Sequence, residues 1–170
     1  MKSKENLVFL GMMGSGKSSI GSIVSRRLGL KFIDIDKVIE KEQGLEISKI
    51  FEFKGEKYFR KIEEQISLKV LKEDSCVIAL GGGTFLNKTV QKEFLKKNLS
   101  FWLSCNSKTL LKRIKNSKNR PLAYNATNDE LIELIKKRSN IYSKALYKIE
   151  CDNYTKSEVV NKIISIYEKK

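Results

Sequence analysis

Residues 11–18 read GMMGSGKS and fit the pattern G-x-x-x-x-G-K-[ST] at each fixed position. No other feature of the chain restricts its fold as tightly. The apolar run before it, residues 6–10 (NLVFL), suits a short strand buried on both faces. Behind it, Ile20, Ile23, Val24 and Leu28 recur at helical spacing over residues 17–28, and Gly29 suits the C-terminal stop. The glycines of such a turn let successive backbone N–H groups face one point, and the helix N-terminus adds partial positive charge. This is an anion cradle for the phosphates of a nucleoside triphosphate, formed by Gly14, Ser15, Gly16, Lys17, Ser18 and Ser19. Lys17 is placed to reach the β- and γ-phosphates, and the Ser18 hydroxyl to ligate Mg²⁺. The motif specifies the nucleotide and leaves the second substrate open.

The pattern continues as alternating strands and helices. Further strands are expected at residues 31–35, 76–80, 100–103 and 147–151. Helices are expected at 36–43, 47–53, 56–71, 89–97, 107–115, 129–146 and 157–167. Five strands separated by helices predict an α/β fold: a five-stranded, mostly parallel sheet flanked by helices on both faces. No internal repeat or linker divides the chain, so residues 1–170 are read as one domain. The polar stretch 116–128 (NSKNRPLAYNATN) holds the only proline and is expected to be a mobile lid.

Composition narrows the chemistry. The chain has no histidine, which removes Ser-His and Cys-His nucleophiles, imidazole bases and histidine-containing zinc sites. Catalysis must rest on carboxylates, Lys, Arg, backbone amides or a hard metal ion. Net charge is +14, but of 34 basic residues only six are arginines, and most of the lysines fall on polar helix faces. No nucleic-acid or membrane partner is expected, and the protein is read as a monomer. Cys76, Cys105 and Cys151 form no Cys-x-x-Cys pair and read as ordinary thiols. With no apolar stretch long enough for a membrane span or a signal-peptide core, a cytoplasmic location is expected.

Other residues gather where such sheets bind ligands, at the C-terminal ends of the strands. Asp34 and Asp36 alternate across FIDID at the end of the second strand, which sends both carboxylates to one side. One suits a water-mediated role on Mg²⁺ and the other a general base, although Asp36 also suits an N-cap. Gly81, Gly82 and Gly83 follow the third strand and permit close backbone approach to a ligand. Arg60 lies one turn inside the long helix expected from residue 56, Arg120 lies in the polar loop, and Arg138 precedes Tyr142 by one turn. Each arginine alone is equally an ordinary surface ion pair. Their distribution around one cleft is what points to an anionic substrate.

Together the phosphate loop, Asp34-x-Asp36, Gly55-Glu56 with Arg60, the triple glycine, Arg120-Pro121-Leu122 and Arg138-x-x-x-Tyr142 closely resemble the shikimate kinase family. The likeness runs from about Val8 to the final helix. It implies a P-loop kinase fold and ATP-dependent phosphorylation of the 3-hydroxyl of shikimate, with Mg²⁺ on Ser18 and Asp34 nearby through water. By the matching positions, Asp36 would be the base and hold the substrate hydroxyls, while Arg60 and Arg138 would grip the carboxylate. The triple glycine would line the ring, Lys17 and Arg120 would neutralise the γ-phosphate, and Arg113 would stack on adenine. The loop after the last strand, residues 152–156 (DNYTK), lacks the proline the family often has there. A gluconate or nucleoside monophosphate kinase shares the scaffold but not the two-arginine, triple-glycine set. A GTPase would need a guanine motif, and Asn161-Lys162-Ile163-Ile164 lacks its Asp.

Overall fold

The computed structural model describes residues 5–115 and 126–170. Arg120 and most of the expected lid, residues 116–125, lie outside the described residues. Five parallel strands form one sheet in the order β2-β3-β1-β4-β5. They are β1 (Asn6–Leu10), β2 (Lys31–Asp34), β3 (Cys76–Ala79), β4 (Asn98–Ser104) and β5 (Tyr147–Glu150). Strand β1 is central and buried along its whole length, as its unbroken apolar run requires. Its residues alternate between two cores. Leu7 and Phe9 pack with Ile20 and Val24 of α1 (Lys17–Leu28) and with Val160 and Ile163 of the last helix, α7 (Lys156–Glu168). Val8 and Leu10 pack on the opposite face, with residues of α2 (Ile35–Gln43), α3 (Ile47–Val70), α4 (Lys88–Lys97), α5 (Ser107–Lys115) and α6 (Asn128–Tyr142). No helix among the described residues is long and apolar enough to cross a membrane.

Most boundaries fall within two residues of expectation, and three differences bear on the site and its neighbours. Strand β2 stops at Asp34, and Ile35 already belongs to α2. Asp34 is the N-cap of that helix, accepting from the amides of Asp36 at 3.1 Å and Lys37 at 3.4 Å. Asp36 is therefore a first-turn helical residue, neither strand nor cap. The helix expected to reach residue 146 ends at Tyr142, because the Leu146 amide donates to Ser100 Oγ at 2.8 Å and draws the chain down to β5. Cys151, expected at the end of β5, opens a 3₁₀ turn over Cys151–Asn153.

The two helices expected at 47–53 and 56–71 share one hydrogen-bonded run, α3, broken at Gly55, where φ is 79° and ψ 166°. Residues other than glycine avoid that conformation. The break re-aims the second half of α3, which carries Phe59, Ile62 and Ile66 into the core and Arg60 to the sheet's C-terminal edge.

Candidate active site

The loop between β1 and α1 is built by its glycines. Gly16, the N-cap of α1, sits at φ 98° and offers no side-chain cap, and the first turn carries no acidic residue. The amides that open α1 thus face the cavity with partial positive charge and no internal carboxylate to quench it. Gly11 is fixed for a different reason: a Cβ there would lie 2.7 Å from the Leu103 carbonyl oxygen of β4. Lys17 folds back over the loop, donating to the carbonyls of Gly11 at 2.8 Å and Met12 at 3.0 Å. Its ammonium is thereby held at the loop's mouth.

A cavity of about 470 Å³ opens over this cradle, a size typical of small-molecule sites. Gly14, Gly16, Lys17, Ser18 and Ser19 form one end, with Arg113 beside them. Asp36, Arg60, Gly82, Gly83 and Arg138 form the other, and Asp34 lines the wall beside Ser18. Of the remaining expected positions among the described residues, Ser15 is buried beneath the loop and Gly81 lies behind the wall; neither lines the cavity. Arg113 donates to the Gly14 carbonyl at 3.1 Å.

Ser18 donates its hydroxyl hydrogen to Asp34 Oδ2, whose other oxygen caps α2. Two hard oxygens thus meet next to the cradle, a donor set that suits a divalent cation such as Mg²⁺. One turn on, Asp36 is half-buried, and its carboxyl pKa is pushed up to about 6. Burial is the main cause, the charges of Asp34 and Glu63 add to it, and Lys17 opposes them. A carboxylate held so close to neutrality is poised to take up a proton and release it again.

The opposite end is an anion pocket. Arg60 is held by Glu63 at 2.7 Å and Glu56 at 3.1 Å, and its guanidinium packs against Gly83 so closely that a Cβ there would collide with it. Arg138 is 4% exposed, and its Nε has no hydrogen-bond partner among the described residues. A buried guanidinium with an unpaired donor at a cavity wall is a site waiting for an anion. Its Nη1 touches Met12 Sδ at 3.8 Å, which gives a role to a loop position that the motif leaves unconstrained. Tyr142, one turn on from Arg138, donates to the Gly82 carbonyl and fixes the triple glycine against α6.

Glu63 escaped the sequence reading. It is 3% exposed, accepts from Thr84 Oγ1 at 2.6 Å, and lies with Asp36 against Gly81. Its signal was a charged residue on the apolar face of α3, between Ile62 and Ile66. Sequence alone equates that with a helix-surface ion pair to Arg60.

Comparisons with known proteins identify the family. The family model described as "Shikimate kinase" matches residues 13–168. A shikimate kinase of Thermodesulfovibrio yellowstonii is 40% identical over 97% of this chain and 96% of its own. Among solved structures, the shikimate kinase of Acinetobacter baumannii, determined in complex with shikimate, superposes with a TM-score of 0.92 at 28% identity, over 99% of this chain and 95% of that one. The shikimate kinase of Aquifex aeolicus gives 0.85 at 36% identity, over 96% of both chains. By family model, by fold and by relatives of matching length, the chain belongs to the shikimate kinase family.

Proposed function

We propose that this chain transfers the γ-phosphoryl group of ATP to the 3-hydroxyl of shikimate, giving 3-phosphoshikimate and ADP. One observation carries the reading: an amide-lined phosphate cradle and a two-arginine, one-carboxylate pocket open onto the same cavity. Shikimate is a small polyhydroxylated carboxylate, so its charge suits the Arg60 and Arg138 end and its hydroxyls suit Asp36.

Phosphoryl transfer asks for positioning and charge stabilisation rather than covalent catalysis. Arg60 and Arg138 hold the carboxylate and so orient the ring, with Gly82 and Gly83 against it. The 3-hydroxyl oxygen forms a bond to the γ-phosphorus, its proton passes to the Asp36 carboxylate, and the bond from that phosphorus to the β–γ bridging oxygen breaks. Lys17 and the loop amides receive the charge that gathers on the phosphoryl oxygens and on ADP. Ser18 and Asp34 would hold Mg²⁺, directly and through water. Bound there, Mg²⁺ supplies further neutralisation of the β- and γ-phosphates. Arg113 would flank the adenine. Arg120, outside the described residues, would add its charge from a lid over residues 116–128. The reaction is placed in the cytoplasm, in a single-domain monomer that needs no nucleic acid or membrane.

The test is ADP release from ATP and Mg²⁺ with shikimate, gluconate or nucleoside monophosphates as acceptor. ADP is expected to rise above the acceptor-free background with shikimate alone. Equal release with gluconate or a nucleotide would overturn the assignment.

A further inference from the structure

Cys105 and Cys151 stand one residue beyond the last paired positions of β4 and β5, where Ser104 is in register with Glu150. One residue further on, the Asn106 amide donates to Asp152 Oδ2 at 2.6 Å, so the two segments stay side by side through the cysteines. Adjacent strands run about 4.8 Å apart, within the roughly 4.4–6.8 Å of Cα separation that a disulfide spans. The cysteines follow directly on that register pair, and the two thiols are near enough to shift one another's ionisation. Both are half-buried, whereas Cys76 is buried at the opposite edge of the sheet, at the start of β3.

The two thiols differ in character. Cys105 Sγ lies 3.8 Å from Arg113 Nη1 and 3.9 Å from the Ser15 carbonyl oxygen. The neighbouring Cys151 thiol and the Arg113 guanidinium, set against burial, shift Cys105 toward its thiolate. Cys151 Sγ donates to the Ile149 carbonyl oxygen at 3.5 Å, and its neighbour Cys105 together with burial favours its thiol. One member of the pair is set up to attack and the other to resolve.

We propose that Cys105 and Cys151 form a dithiol site that closes reversibly to a disulfide at the nucleotide edge of the phosphate loop and weakens ATP binding when closed. The effect on ATP rests on the kinase reading above, while the disulfide does not. The Cys105 thiolate attacks one sulfur of a low-molecular-weight disulfide, forming a mixed disulfide and expelling one thiolate. Cys151 then loses its proton to solvent and attacks Cys105 Sγ, expelling the second thiolate. The two cysteines give up two electrons, and the reagent is reduced to two thiols. Once closed, the bridge ties up the Cys105 sulfur that Arg113 Nη1 contacts at 3.8 Å. It also fastens the Cys151–Asn153 turn beside the wall that Gly14 and Arg113 share.

The full chain is incubated with oxidised glutathione, then analysed by intact mass, peptide mapping and calorimetric ATP binding, before and after dithiothreitol. The expected product is lighter by two hydrogens, joins the Cys105 and Cys151 peptides and leaves Cys76 free. Its ATP Kd rises about tenfold, as for one lost contact to a charged group, and dithiothreitol restores it. Cys151→Ser, which lacks the resolving thiol, is expected to stop with one glutathione on Cys105. A glutathione adduct that persists on the unmutated chain, or a bridge that includes Cys76, overturns the site. A correctly bridged protein with unchanged ATP Kd overturns the coupling. Reduced protein that binds ATP but makes no ADP with shikimate counts against the kinase reading alone, since mass, mapping and calorimetry still judge the dithiol.

Discussion

Asp36→Asn separates what this carboxylate does for the fold from what it does for the reaction. Its pKa rises from 3.8 to about 6, with burial as the main cause. A displacement of that size corresponds to about 3 kcal/mol of folding free energy withheld at neutral pH, and solvent screening at the cavity mouth reduces it to about 1–2 kcal/mol. The sign follows from the direction of the shift. Because the folded state binds this proton more tightly, its contribution to stability is full below pH 3.8 and is lost as pH rises through about 6. The neutral amide escapes that loss. Asp36→Asn should therefore melt about 3–6 °C above the unmutated chain at pH 8, with the difference shrinking to nothing near pH 4. Turnover should fall by about 10²–10⁴-fold, the usual contribution of a general base. Melting curves by circular dichroism at several pH values, alongside steady-state kinetics, read both effects. A variant that turns over normally, or melts at or below the unmutated chain at pH 8, would refute the reasoning. The unmutated enzyme should also lose kcat/KM below about pH 6, as the same group takes up its proton.

Arg60→Ala and Arg138→Ala should each raise the shikimate KM by about ten- to a hundredfold, with little change in the ATP KM, since each removes contacts to one carboxylate. In initial-rate kinetics, an effect confined to ATP would move these residues out of the acceptor pocket. Gly83→Ala pushes a methyl group into the Arg60 guanidinium and should reproduce the Arg60→Ala phenotype in weaker form; unchanged shikimate kinetics would show that Arg60 tolerates displacement. Gly55→Ala meets no atom within 4 Å, but at φ 79° it must adopt a conformation that costs a side-chain-bearing residue about 1–3 kcal/mol. Denaturant titration should report that loss, and an unchanged midpoint would argue against strain at the break.

Much of this was legible in the sequence, for identifiable reasons. The β1–loop–α1 unit was readable because its glycines answer to local dihedral and contact demands that few other sequences meet. Capping boxes at Thr127 and Thr155, each with Glu three residues later, start α6 and α7 one residue before the expected positions 129 and 157. The start of α2 was misread because Ile35 continues the apolar–polar alternation of β2, and it is buried whether the residue is strand or helix. Both acids still reach the cavity, Asp34 from the last residue of β2 and Asp36 from the first turn of α2. Glu63 and Met12 could not be read as site residues, because their partners Thr84 and Arg138 are distant in sequence and only the closed sheet brings them near. The cysteine pair was hidden for the same reason, since its register exists only once β4 and β5 lie side by side.

The strand order divides the crevice. Asp36 and the triple glycine hang from β2 and β3 on one side of β1, while Cys105 and Arg113 follow β4 on the other, and Lys17 stands between. In the proposed function, Asp36 and the triple glycine serve the phosphoryl acceptor and Arg113 serves the nucleotide base. These determinants therefore occupy opposite flanks, and Arg138 reaches across to Gly82. Energetic effects of paired substitutions, one from each flank, should sum to within about 0.5 kcal/mol, so either preference is open to redesign while the other is left alone.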